Sequence, residues 1–275
     1  MKKLIVNGCS FIAGDAIVWD QFLKEKKIDY LPWEDTYQKN PTPEILELQQ
    51  DYKLNFRKNK NLPKLLGDLL NSEVVDLSID GNSNDNIALS TINYLINIPK
   101  TKRNNYHILI GWTALSRGLK YVQTLQSFFN LNYFCVPLIF YEELNKYAKS
   151  IASNTYDEDY YLNYLKNVIM LENFLKENHC TYTFYRNLGD SISYDFFNLE
   201  NYSLSNINKY SDDNCWFKFS NNDTFGLNGS TFLNEYTNKN IEYCISATNG
   251  HPNLKIISIF ADKLANFIRN QNVGF

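Results

Sequence analysis

Disulfide frameworks, metal-ligand spacings, membrane-length apolar runs and an excess of either charge are all missing from this 275-residue chain. Its five cysteines, Cys9, Cys135, Cys180, Cys215 and Cys244, are odd in number and form no CxxC or Cys/His spacing. That excludes a fully paired disulfide scaffold and supplies no metal-site pattern. The simplest reading is a reduced protein in which each thiol acts as a small apolar residue. No stretch approaches the roughly 20 apolar residues of a transmembrane helix. The opening Met1-Lys2-Lys3 is followed only by Leu4-Ile5-Val6 before Asn7-Gly8, well short of the roughly 7–15 apolar residues of a secretory signal. A soluble, cytoplasmic protein without a membrane span is expected. Lys and Arg total 27 against 30 Asp and Glu, for a net charge of −3. The chain therefore lacks the general positive field that nucleic acid requires, and no nucleic-acid partner is expected. The local basic stretch Lys53, Arg57, Lys58, Lys60 and Lys64 reads as a solvated helix end. Internal repeats and low-complexity tracts are also missing.

The chain does have enough apolar residues, 44% by count, to form a sizeable core. Lys3–Val6 reads as a short buried strand ended by Gly8. Residues 15–60 read as irregular, a first insertion with a mixed helical pattern near Glu44–Tyr52. Leu62–Leu70 has helical spacing, and Glu73–Ile79 reads as a second strand. Asp80-Gly81-Asn82-Ser83-Asn84-Asp85 is a turn cluster from which Ser83 or Asn84 can cap a helix over Asn86–Asn97. Tyr106–Gly111 is a third strand, apolar as buried parallel strands are. A helix is expected over Leu115–Phe129 and a fourth strand over Tyr133–Phe140. Asp157–Asn178 is the clearest helix, Cys180–Arg186 a fifth strand, and residues 187–247 a second insertion. Leu254–Arg269 closes the chain as an amphipathic helix. Strands alternating with helices predict one domain, a three-layer α/β/α sandwich around a parallel five-stranded sheet. In such sheets ligands bind at the carboxyl ends of the strands.

Two short motifs carry the chemistry. Asn7-Gly8-Cys9-Ser10-Phe11 follows the first strand, and Asn249-Gly250-His251-Pro252-Asn253 precedes the last helix. A serine on a turn leaving a strand and a histidine entering the last helix can meet as nucleophile and base, which a hydroxyl needs in order to attack. Taken alone, Ser10 reads equally as a helix cap and His251 as a surface-loop residue. Trp112 suits a pocket wall or the aromatic core, and Arg117 an acidic substrate group or a surface ion pair. Gly111 suits close packing at a strand end. His107 and His179 read as structural.

Four blocks stand in order: 7–11, 80–84, Gly111-Trp112-Thr113-Ala114-Leu115-Ser116-Arg117 and 249–253. Their order and placement resemble the SGNH (GDSL-like) serine hydrolase family. The resemblance covers most of the chain in outline and rests on about twenty residues. It implies a flavodoxin-like sheet in the order 2-1-3-4-5 and hydrolysis of a carboxylic ester, an acyl or acetyl group on a small molecule, lipid or glycan. It also implies that Ser10 is the nucleophile, His251 the general base, and the N–H groups of Ser10 and Gly81 the oxyanion hole. No metal or organic cofactor is implied. The chain departs from the family pattern twice. Thr113 stands where the third block has an asparagine donor; its shorter hydroxyl can donate one hydrogen bond to the oxyanion, and Asn84 or Asn82 can substitute. Thr248 stands where an aspartate precedes the histidine, so a main-chain carbonyl or another acid such as Asp223 would orient His251. These departures leave open a catalytically weakened domain that binds a glycan or protein partner. Acyl transfer with the same residues also stays open.

Overall fold

The computed structural model describes residues 2–29, 42–52, 61–115, 117–122, 127–132, 157–187, 213–219 and 252–271, with the backbone alone at 10–11, 15–17, 120–122, 127–132, 157–158 and 213. In chain order the elements are β1 (Lys3–Asn7), α1 (Ser10–Ala13), α2 (Asp15–Lys26), α3 (Pro43–Asp51), α4 (Leu62–Leu70), β2 (Val74–Asp76) and α5 (Asn84–Ile96). They continue as β3 (Tyr106–Trp112), β4 (Arg117–Val122), β5 (Ser127–Asn132), α6 (Asp157–Glu177), β6 (Thr181–Arg186) and α7 (Leu254–Asn270).

The fold is α/β, built on a parallel sheet in the order β2-β1-β3-β6. Alternation along the strands sends side chains to two cores. Ile5, Ile108, Ile110 and Phe184 pack with α5 and α6, while Leu4, Val6, Leu109 and Tyr185 pack with α4 and α7. The middle of a central strand is therefore apolar on both faces, and Leu4, Ile5 and Val6 are all fully buried. The exception in β3 is His107, fully buried with both ring nitrogens 3.0 Å from threonine hydroxyls, those of Thr181 and Thr183. It is structural, as expected from its place inside a strand.

The helix boundaries follow their caps. Ser83 Oγ accepts from Asn86 N at the start of α5 and Asn253 Oδ1 from Ile256 N at the start of α7. Asn61 Oδ1 does the same for Lys64 N at α4. Each cap satisfies an N–H that the helix itself cannot.

Three expectations are corrected. Among the described residues the parallel sheet has four strands rather than five, and β3 pairs directly with β6 from His107↔Thr181 to Trp112↔Arg186. The strand expected over 133–140 lies outside the described residues. On the far side of β6 the neighbour is Trp216, which forms a parallel bridge to Phe184. The helix expected over 115–129 is instead an antiparallel hairpin of β4 and β5. Gly118, Tyr121, Val122, Phe128 and Phe129 suit a pleated ribbon better than a helix. Residues 15–26, read as irregular, form a helix, α2, whose Val18, Trp19 and Phe22 pack with Tyr52. The helix expected near 44–52 is α3.

The direction of α7 matters for function. Near its end Arg269 Nη2 donates to the Leu69 carbonyl, and Gln271 just beyond it accepts from Thr183 Oγ1 at 3.0 Å. Leu69 is at the end of α4, close before β2 begins, so the helix finishes toward the amino edge of the sheet. Its 17 residues rise about 25 Å, which carries its start toward the carboxyl edge.

Candidate active site

The carboxyl ends of β1, β2 and β3 are tied to one another by main chain and asparagines. Ser10 opens the one-turn helix α1, which leaves β1 after Gly8-Cys9. The Cys9 carbonyl accepts from Ile12 N and Ala13 N, 2.9 and 3.0 Å. Just before this turn, the Gly8 carbonyl accepts from Ile79 N at 3.1 Å and from Asn82 Nδ2 at 3.0 Å. The first block is thereby pinned to the second. Asn7, fully buried, donates to the Ile87 carbonyl and to the hydroxyls of Ser90 and Thr91 on α5, and accepts from Gly8 N.

The second block turns through Gly81, whose φ of +70° is a left-handed conformation and whose Cβ position is open space. A side chain there would be opposed by the backbone angle rather than by crowding. Its N–H has no hydrogen-bond partner among the described residues. Asn84, one residue into α5, then clamps the third block: its Oδ1 accepts from Thr113 N at 2.9 Å, and its Nδ2 donates to the carbonyls of Thr113 and Ala114 at 3.3 and 3.1 Å. Both amide functions of Asn84 are thus engaged with main chain. Those of Asn82 are engaged too, with Gly8 O, Ser83 N and Asn86 Nδ2. Neither asparagine has the spare donor that an oxyanion would need. They hold the loops on which other donors sit.

Thr113 is 1% exposed, and its Oγ1 is shielded from solvent with no hydrogen-bond partner among the described residues. An orphaned buried hydroxyl costs about 1–3 kcal/mol. Gly111, in the same block, packs where a Cβ would lie 2.5 Å from Ile12 Cδ1 and 2.4 Å from Asn187 Nδ2. Close packing at the strand end, the simpler reading of this glycine, is what the geometry shows. Trp112 is fully buried and meets Tyr164 and Phe184 edge-on at centroid distances of 5.9 and 5.5 Å, so it belongs to the core beneath the site. Arg117 begins β4, and two of its guanidinium nitrogens, Nε and Nη1, are shielded without a partner among the described residues.

His251, Thr248 and Asp223 lie outside the described residues. The described chain resumes at Pro252 and Asn253, where α7 starts on the carboxyl-edge side. Asn187, which falls in the expected second insertion, was not legible as a site residue. It extends the β6 ladder by donating from its N to the Trp112 carbonyl at 2.8 Å and approaches Cys9 Sγ at 3.9 Å. Asp85 was likewise missed, although its place in the first turn of an expected helix marks it as an anchoring acid. Among the described residues no three His, Cys, Asp or Glu side chains gather as a metal site requires, and no helix is long and apolar enough to cross a membrane.

No family model and no curated protein matches the chain. Among solved structures it is similar to the psychrotrophic esterase EstA from Pseudoalteromonas sp., in a crystal structure inhibited by monoethylphosphonate. The alignment covers 98% of each chain at 12% identity with a TM-score of 0.42.

Proposed function

We propose that this chain hydrolyses a carboxylic ester through an acyl-enzyme, with Ser10 as nucleophile and His251 as general base. The observation that carries the reading is the interlock of three blocks at adjacent strand ends: Gly8 to Asn82, and Asn84 to Thr113. It gathers a serine backbone with a glycine N–H and a threonine hydroxyl that have no partner among the described residues, at the sheet edge where such folds bind ligands.

In this reading His251 takes the Ser10 proton as Oγ attacks the ester carbonyl. The N–H groups of Ser10 and Gly81 hold the resulting oxyanion, with Thr113 Oγ1 as a third donor; a preorganised donor of this kind is worth about 3 kcal/mol in the transition state. His251 then protonates the departing alcohol. Water enters, gives its proton to His251 and attacks the acyl carbon, and Ser10 leaves with that proton. A main-chain carbonyl from residues 247–249 orients the imidazole, since Thr248 supplies no carboxylate. A neutral acceptor stabilises the imidazolium less than a charged one, so turnover is slow.

Steady-state cleavage of short-chain aryl esters tests this. Ser10→Ala and His251→Ala are each expected to abolish turnover, and the double variant to be no worse than either single, because members of one catalytic unit are not additive. Full activity in Ser10→Ala would assign the reaction elsewhere. A folded wild-type protein inert toward varied esters would favour the binding-domain alternative that the Thr113 and Thr248 departures allow.

A further inference from the structure

Arg117 stands out as a cation without an ion-pair partner among the described residues. Its Nε and Nη1 are shielded from solvent and have no hydrogen-bond partner among those residues, while the residue as a whole stays partly exposed. Withdrawing a guanidinium from water without an acceptor is costly, and an arginine is always charged. The carboxylate that α5 brings to this strand, Asp85, is already committed: Oδ2 accepts from Leu119 N at 3.0 Å, and Oδ1 from Asn163 Nδ2 and Asn167 Nδ2, both at 3.0 Å. No ion pair to Arg117 occurs among the described residues.

Its position is tied to the candidate site by main chain. The Ala114 carbonyl accepts both from Arg117 N at 3.2 Å and from Asn84 Nδ2 at 3.1 Å. A turn closed by that bond keeps Arg117 within one short reversal of Thr113. The same stretch carries a second shielded donor without a partner among the described residues, Thr113 Oγ1.

We propose that Arg117 docks an anionic group of the substrate, so that the ester cleaved carries a carboxylate or a phosphate beside the scissile bond. A planar guanidinium offers paired N–H groups that match either oxyanion. The proposal rests on the ester-hydrolase reading for its substrate, but its binding step is independent of turnover.

Two arms test it. In the first, kcat/KM is compared for a 4-nitrophenyl ester with an anionic acyl chain, the hemisuccinate, and a neutral one of similar length, the butyrate. The wild type is expected to favour the anionic ester at least tenfold, Arg117→Gln to bring the ratio toward one mainly through KM, and Arg117→Lys to keep part of the preference. A wild-type ratio at or below one, or a ratio unchanged in folded Arg117→Gln, overturns the proposal. In the second arm, thermal unfolding is followed with succinate or inorganic phosphate. Either anion should raise Tm in the wild type and in Ser10→Ala but not in Arg117→Gln, and the larger shift identifies the preferred group. No anion-dependent shift in the wild type overturns anion docking. Cleavage of neither ester together with a clear shift would instead sink the hydrolase reading and leave the docking site standing.

Discussion

Thr113 separates catalytic from structural roles more cleanly than any other described residue. Its hydroxyl is buried with no partner among the described residues, so deleting it removes a penalty rather than a bond. Thr113→Val, nearly the same shape, is expected to hold or raise stability in urea denaturation while lowering kcat by about 100–1000-fold if the hydroxyl donates to the oxyanion. Unchanged kcat would leave the hole to backbone N–H groups alone. Asn84 should behave in the opposite way. Asn84→Ala strands the Thr113 N–H and two carbonyls, and is expected to cost about 1–3 kcal/mol in stability as well as activity. At this scale the sequence revealed residue types but not their engagements. Asn84 next to Gly81 reads as a spare donor, and only tertiary contact with residues 113–114 shows that both its amide functions are taken. Asp85 and Asn187 were invisible for the same reason, since their partners on β4, α6 and β3 are distant in the chain.

Among the elements, the strands and helices with clear periodicity were legible: β1, β3, β6, α4, α5, α6 and α7 agree with expectation to within a residue or two. The hairpin was not. Its leucines and aromatics recur at spacings compatible with a helix, and what decides the matter is docking. Asp85 in the first turn of α5 accepts from Leu119 N of β4 and from two asparagines of α6. Hydrogen bonds to a charged acceptor contribute about 1.5–3 kcal/mol. Asp85→Ala is therefore expected to loosen the hairpin, seen as faster amide exchange across residues 117–122 with the central strands still protected. Uniform protection would show that the ribbon is held by other contacts. Near the end of β3, Gly111→Ala would press a methyl into Ile12, Asn187 and the Tyr185 ring. Crowding of this kind costs about 1–3 kcal/mol, to be read as a lowered urea midpoint.

For the whole molecule, the α/β class followed from strand–helix alternation, whereas the order of strands among the described residues did not. An apolar run such as 133–140 cannot reveal from its composition whether it joins the sheet, and the direct pairing of β3 with β6 is a long-range fact. Global stability carries one signature that can be worked out. Burial, aided by the positive charge of Lys2, lowers the His107 pKa from 6.5 to about 3. Below pH 6.5 the unfolded chain takes up a proton that the native protein refuses. The contribution of His107 is thus complete above pH 6.5 and is lost progressively as pH falls toward 3, at up to about 1.4 kcal/mol per pH unit. Urea midpoints are expected to fall between pH 7 and 4.5, and to fall less in His107→Gln. Equal pH slopes in the two proteins would contradict a neutral, buried imidazole.

The central claim is that Ser10 is an activated nucleophile, and covalent labelling addresses it most directly. A fluorophosphonate probe labels a serine whose hydroxyl loses its proton to a neighbouring base as it attacks, beside donors that hold the phosphonyl oxygen. Mass spectrometry of the labelled, digested protein should show a single adduct on the peptide containing Ser10, and labelling should vanish in His251→Ala. An adduct on another serine, or none in a folded protein that cleaves esters, would contradict the account.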